Sequence, residues 1–202
     1  MATERRQFTA FSWLLHWLMA PMVLSMLGIG VAMVDSVAHY HRLVSLHRPL
    51  GMAILILVVM RYVNRKLHPP PPFPPTMSVH ERRAATASEM MLYGLLFAQP
   101  VVGWGMLSAA GYPIVLSSSL HLPSILPHNL RWYAWLRKAH TVLAYLLFVM
   151  FIAHVGAMLF HTLIVRDGML LRMAPWHMRA QEQDAPTGAG GKSGETFDAT
   201  GG

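Results

Sequence analysis

Histidine is the residue whose placement in this chain asks for chemistry. There are 12 histidines against 9 aspartates plus glutamates, and there is no cysteine. His140, His154 and His161 all fall in "AHTVLAYLLFVMFIAHVGAMLFH", a stretch from Ala139 to His161 without one charged side chain. A neutral imidazole in hydrocarbon must find a partner, either a metal or a group on another helix. On a helix, His140 and His154 lie 14 residues apart, within about 40° of one face and about 21 Å along the axis. His161 follows seven residues later, about 20° further round. The lack of cysteine rules out disulfides, thiolate zinc sites and iron–sulfur clusters, so any metal must rest on His, Met or carboxylate.

The elements that carry these residues read as membrane spans. The chain of 202 residues is 54% hydrophobic and 12% charged, with a positive mean hydropathy, well away from soluble-domain usage. Apolar runs cover Phe8 to Val34, Pro49 to Met60 with a flank back to Leu43, Met90 to Leu107, and Ala139 to Val165. At about 20 residues per span, they predict an all-α, integral membrane four-helix bundle. The first run has no small-residue cleavage site soon after it and is expected to be retained.

The proline run in "RYVNRKLHPPPPFPPTMSVHERR" predicts an extended link, and "GYPIVLSSSLHLPSILPHNL" a loop that lies against the protein or the membrane interface without spanning. Residues 1–177 then form the transmembrane domain, and 178–202, polar and glycine-rich, a disordered tail. No internal repeat is visible.

In this layout Arg5, Arg6, Arg61, Arg65, Lys66, Arg82, Arg83, Arg166, Arg172, Arg179 and Lys192 fall on one side, and Arg42, Arg48, Arg131, Arg137 and Lys138 on the other. The excess puts both termini in the cytoplasm. The formal charge of +7 therefore reflects topology, and nucleic acid is not an expected partner.

Depth then pairs the histidines. His47 opens the second span level with His140 near the outer end of the fourth, and His16 lies in the inner half of the first span, level with His154. Two facing imidazoles at one level suit six-coordinate haem b, whose apolar macrocycle would fill the bundle core. Two separated pairs predict two such haems, with irons held by His16 and His154 and by His47 and His140. Zinc, which prefers four clustered ligands, explains the pattern less well. The plain alternative is a cofactor-free protein whose histidines only join helices. His161 is expected beside the inner haem, donating to a propionate or a bound quinone, with a swap for His154 or a headgroup contact as alternatives. The 16 methionines read as packing.

Taken in order, "HW" at His16, "SLHRPLG", "RYVNRKLHPPPPFP", "LYGLLFAQPVVGW", "KAHTVLAYLLFVMFIAH" and "RDGMLLRMAP" resemble the bacterial cytochrome b561 family over about Phe8 to Pro175. The resemblance implies bis-histidine ligation of two haems b by His16, His47, His140 and His154. It also implies exchange with ubiquinone near the cytoplasmic side and oxidation of superoxide at the other face, in a bacterial inner membrane. "TMSVHERRAATASEM" departs from the family's lysine-rich pattern and assigns no quinone-site residue.

The outer basic residues face only Asp35, a field that attracts a small anion and could equally pair with propionates or lipid phosphates. Bis-histidine iron leaves no open position, so the expected reaction is outer-sphere and needs no catalytic nucleophile. A membrane anchor relaying electrons for a soluble redox subunit is the second function class.

Overall fold

The structure is a computed structural model that describes residues 8–73, 77–112, 114–117 and 120–165. Four long helices dominate it: α1 (Ala10–Asp35), α2 (Tyr40–Leu67), α3 (Val79–Ala109) and α4 (Leu130–Phe160), the last continuing as a π-helical turn over His161–Val165. Each is long and apolar enough to cross a membrane. The expected tail, Arg5, Arg6 and the basic residues from Arg166 onward lie outside the described residues.

The central runs of the helices expose large apolar side chains, as lipid-facing helices do. Ile56 on α2 and Tyr145 on α4 are 59% and 71% exposed, while the core is a thin seam that includes Leu15, Met19, Val23, Ile54, Val58, Leu95 and Leu147. α1 packs on α2, α2 on α3, and α4 mainly on α3. Pro21, Pro49 and Pro100 sit inside α1, α2 and α3, which spans tolerate because neighbouring helices resatisfy the freed carbonyls.

α2, α3 and α4 run past their expected apolar cores while α1 keeps close to its own, and the ends have local causes. Ser78 and Glu81 form a capping box that starts α3 well before Met90: the Ser78 main-chain N–H donates to Glu81 Oε2 at 2.7 Å, and the Glu81 N–H to Ser78 Oγ at 3.3 Å. Asn129 caps α4, its Oδ1 accepting from the N–H groups of Arg131 and Trp132 at 2.9 and 3.2 Å. α2 continues beyond Met60 because Arg61 turns inward and is hydrogen-bonded there. Its Nε donates to the Tyr93 hydroxyl at 3.0 Å and its guanidinium to the Ser12 carbonyl at 3.5 Å.

The α3–α4 connection is not wholly irregular. Strands β1 (Ile114–Ser117) and β2 (Leu120–Leu122) pair antiparallel, with Ile114 opposite Leu122 and an irregularity between Val115 and Ser117. Pairing gives this apolar stretch partners for its main-chain polar groups. The following loop is strapped to the end of α3, as expected of a segment lying against the protein. Trp104 Nε1 donates to the Pro123 carbonyl at 3.0 Å, the Ile125 N–H to Ser108 Oγ at 3.2 Å, and the Asn129 N–H to the Ala109 carbonyl at 2.9 Å. Gly111, at φ +74°, makes the turn out of α3 in a conformation that favours glycine.

Candidate functional site

The antiparallel course of the helices puts the C-terminal end of α1, the N-terminal end of α2 and the N-terminal end of α4 at one end of the bundle. His47, in the second turn of α2, and His140, ten residues into α4, meet there. Their ring centroids stand 6.2 Å apart with the planes inclined at 66°. Two imidazoles bound to opposite sides of one metal, with metal–nitrogen bonds of about 2 Å and about 1 Å more to each ring centre, stand about 6 Å apart. The observed separation fits that arrangement. Nδ1 of His47 and Nδ1 of His140 are both buried without a hydrogen-bond partner.

Helix α3 contributes no histidine to this pair but shapes it. Gln99 Nε2 donates to the main-chain carbonyl of His140 at 3.1 Å, fixing α4 where the ring departs. One turn further along α3, a Cβ at Gly103 would stand 3.2 Å from Cε1 and 3.5 Å from Nδ1 of His140. Glycine there leaves room for the imidazole beside the helix. On α2, one turn after His47, a Cβ at Gly51 would come within 2.9 Å of the Met26 methyl carbon.

His16 and His154 lie toward the other end, on α1 and α4. They are within Coulombic reach of one another and both within reach of Arg61. His16 is half-buried and His154 more open. Around them is a polar network that hydropathy alone does not reveal. Asn64 is buried, its Nδ2 donating to Ser12 Oγ at 2.7 Å, and Arg65 pairs with Glu89 at 2.6 Å. His161 stands where α4 widens into its π-helical turn, within Coulombic reach of Glu81 at the start of α3. π-turns of this kind recur at functional sites.

Burial of polar atoms singles out the same two levels. Among the described residues, four buried side-chain polar atoms have no partner: Nδ1 of His47, Nδ1 of His140, Oε1 of Gln99 and Nε1 of Trp13. The first three belong to the His47–His140 level, and Trp13 lies one turn before His16. Orphaned atoms are rare in folded proteins because each costs about 1–3 kcal/mol, and here three of the four gather at one histidine level. No three of the described His, Asp and Glu side chains converge as a metal cluster; the histidines offer themselves in twos. His39, which precedes α2, and His41, His121 and His128 lie at the His47–His140 end. His68 accompanies the polar network of the other end through Asn64.

Sequence reasoning set His47 beside His140, whose rings stand 6.2 Å apart, but did not place Gln99, Gly103, Asn64 or Arg61 near the histidines. A glycine or an amide inside an apolar span is a visible signal of helix contact, but only the packing of α3 on α4 shows which residue it serves.

The family model described as prokaryotic cytochrome b561 matches residues 7–176. The "Cytochrome b561 homolog 2" of Escherichia coli (strain K12) is 32% identical over 161 residues, 78% of this chain and 86% of that protein. The "Probable superoxide oxidase CybB" of Yersinia pestis is 30% identical over 134 residues, 64% of this chain and 73% of its own length. The "Cytochrome b561 homolog 1" of Escherichia coli (strain K12) is 27% identical over 129 residues, with the same two shares. With four membrane-length helices and histidines meeting between them, this chain belongs to the prokaryotic cytochrome b561 family of haem b membrane electron-transfer proteins.

Proposed function

We propose that the chain carries two haems b in the bacterial inner membrane, oxidising superoxide at its outer face and reducing ubiquinone near its inner one, with both termini in the cytoplasm. The observation that carries this reading is the His47–His140 pair, 6.2 Å between ring centroids with both Nδ1 atoms unpartnered. His16 and His154 form the second pair, one bundle level inward. Haem b, held between the histidines of each pair, would supply one-electron chemistry when bound.

The protein's share of the work is holding and steering. His47 and His140 grip from α2 and α4, while Gln99 and Gly103 hold His140 from α3. Arg42, Arg48, Arg131, Arg137 and Lys138 gather at the same end, and Asp35 is its sole carboxylate among the described residues. Their field draws in an anion as small as superoxide and raises its encounter rate. Two superoxide ions each give up one electron and leave as oxygen; one ubiquinone takes both electrons and two protons from the cytoplasm. His161, at the inner end of α4, donates a hydrogen bond to a propionate or to the quinone. No side chain forms a covalent bond to either substrate.

The test supplies superoxide to the purified, haem-loaded protein with a soluble ubiquinone. Ubiquinone reduction should accompany superoxide loss at one quinone per two superoxides, and slow as salt screens the basic face. Superoxide loss equal to that of buffer alone would reject this substrate and favour a relay for a soluble redox partner.

The role of α3 predicts a second result. Gly103→Leu would drive a side chain into the His140 ring, so the outer haem should be lost and total haem fall by about half. Gly94→Leu on the same helix, where nothing lies within 4 Å of the added Cβ, should keep its haem. Equal haem content in the two variants would remove Gly103 from the site.

A further inference from the structure

On α2, His47, Gly51, Ile54, Val58 and Arg61 follow one another at steps of four and three residues, one helical stripe, and Gly51, Ile54 and Val58 along it are buried against the bundle. Arg61 lies 14 residues beyond His47, the interval that separates His154 from His140 on α4. α2 and α4 run in the same direction, so Arg61 stands about 21 Å from His47 along the axis, at the level of His154. It is within Coulombic reach of both His16 and His154.

A guanidinium stays charged at any depth, and in a bundle interior it calls for an anion. The partners of Arg61 are neutral: the Tyr93 hydroxyl at 3.0 Å, the Ser12 carbonyl at 3.5 Å, and the face of the Tyr93 ring with its centroid 5.9 Å away. The carboxylate within its Coulombic reach, Glu89, is already held by Arg65 at 2.6 Å. Among the described residues, one positive charge is therefore left over at the inner histidine level.

We propose that Arg61 would set the potential of a haem held by His16 and His154, its positive charge favouring the state that has gained an electron. The inference rests on the two-haem reading. The inner haem gains one electron as the outer haem loses one, and no bond is made or broken. A fixed positive charge at the inner level shifts that exchange inward, toward the quinone.

The experiment is a redox titration of the haem-loaded full chain in lipid nanodiscs, followed by haem absorbance, for wild type, Arg61→Gln, Arg61→Lys and Lys66→Gln. Wild type should show two one-electron steps. Arg61→Gln should lower only the step that persists in His47→Ala, changing its reduced-to-oxidised ratio at fixed potential at least tenfold, about 59 mV for one electron. Arg61→Lys should stay close to wild type. So should Lys66→Gln, which removes a charge from the exposed side of α2, where Lys66 lies 5.5 Å from the Tyr62 ring centroid. Steps that do not move in Arg61→Gln, or that move as far in Lys66→Gln, overturn the proposal while leaving both haems in place. A single step in wild type rejects the two-haem reading itself. Should Arg61→Gln shed the inner haem, Glu89→Gln decides: with that carboxylate neutralised the inner step should rise, and an unmoved step overturns the proposal.

Discussion

Alanine at His47 or at His140 is expected to empty the outer level, halving haem per chain to about one and stopping superoxide consumption while the inner haem keeps its low-spin spectrum. The two imidazoles stand with ring centroids 6.2 Å apart, one carried by α2 and the other by α4. If the pair holds a haem iron as proposed, removing either ring would leave that iron one ligand short and its partner a buried imidazole. The two variants should therefore look alike, and the double variant should add little, since residues acting as one unit are not additive. Haem quantified by extraction, alongside superoxide loss, checks this. A variant that keeps both haems would show that the pair joins helices and does no more.

The complementary substitutions, His16→Ala and His154→Ala, should give a different failure. The outer haem stays and still accepts an electron from superoxide, but the next level, about 21 Å further along the 14-residue step of α4, has nothing to receive it. The protein should take up about one electron per chain and then stop, with no ubiquinone reduced. Single-turnover absorbance after a superoxide pulse separates this from the outer variants, which should take up none. Ubiquinone reduction at the wild-type rate would mean that the inner pair is bypassed, and would move the quinone to the outer level.

How far the sequence foretold this structure depends on which physical effect governs each feature. The four spans were legible because transfer of an apolar side chain into lipid depends on that side chain alone. Their ends were not, because caps decide them. Ser78 and Glu81 carry the S-x-x-E pattern that extends α3, and Asn129 starts α4 ahead of Arg131, Arg137 and Lys138, whose charges hid the helix from a hydropathy reading.

Arg61 follows the apolar run of the second span in the sequence, which a snorkelling side chain could extend. It lies inside a longer helix, because Tyr93 and Ser12, far away in sequence, accept its hydrogen bonds. The levels of the histidines followed from helical rise and phase, quantities that need no knowledge of neighbours. Gln99 and Gly103 could not be assigned that way, since their bearing on His140 depends on α4 packing against α3. The hairpin of Ile114–Ser117 and Leu120–Leu122 was missed because two short runs separated by serines carry too little alternation to mark strands.

The most direct test is the haem-to-protein ratio of the detergent-purified full chain, with oxidised and reduced absorption spectra. Two low-spin b haems per chain are expected, one for His47 and His140 and one for His16 and His154. One haem per chain, or a colourless protein after expression with ample haem, would contradict the account.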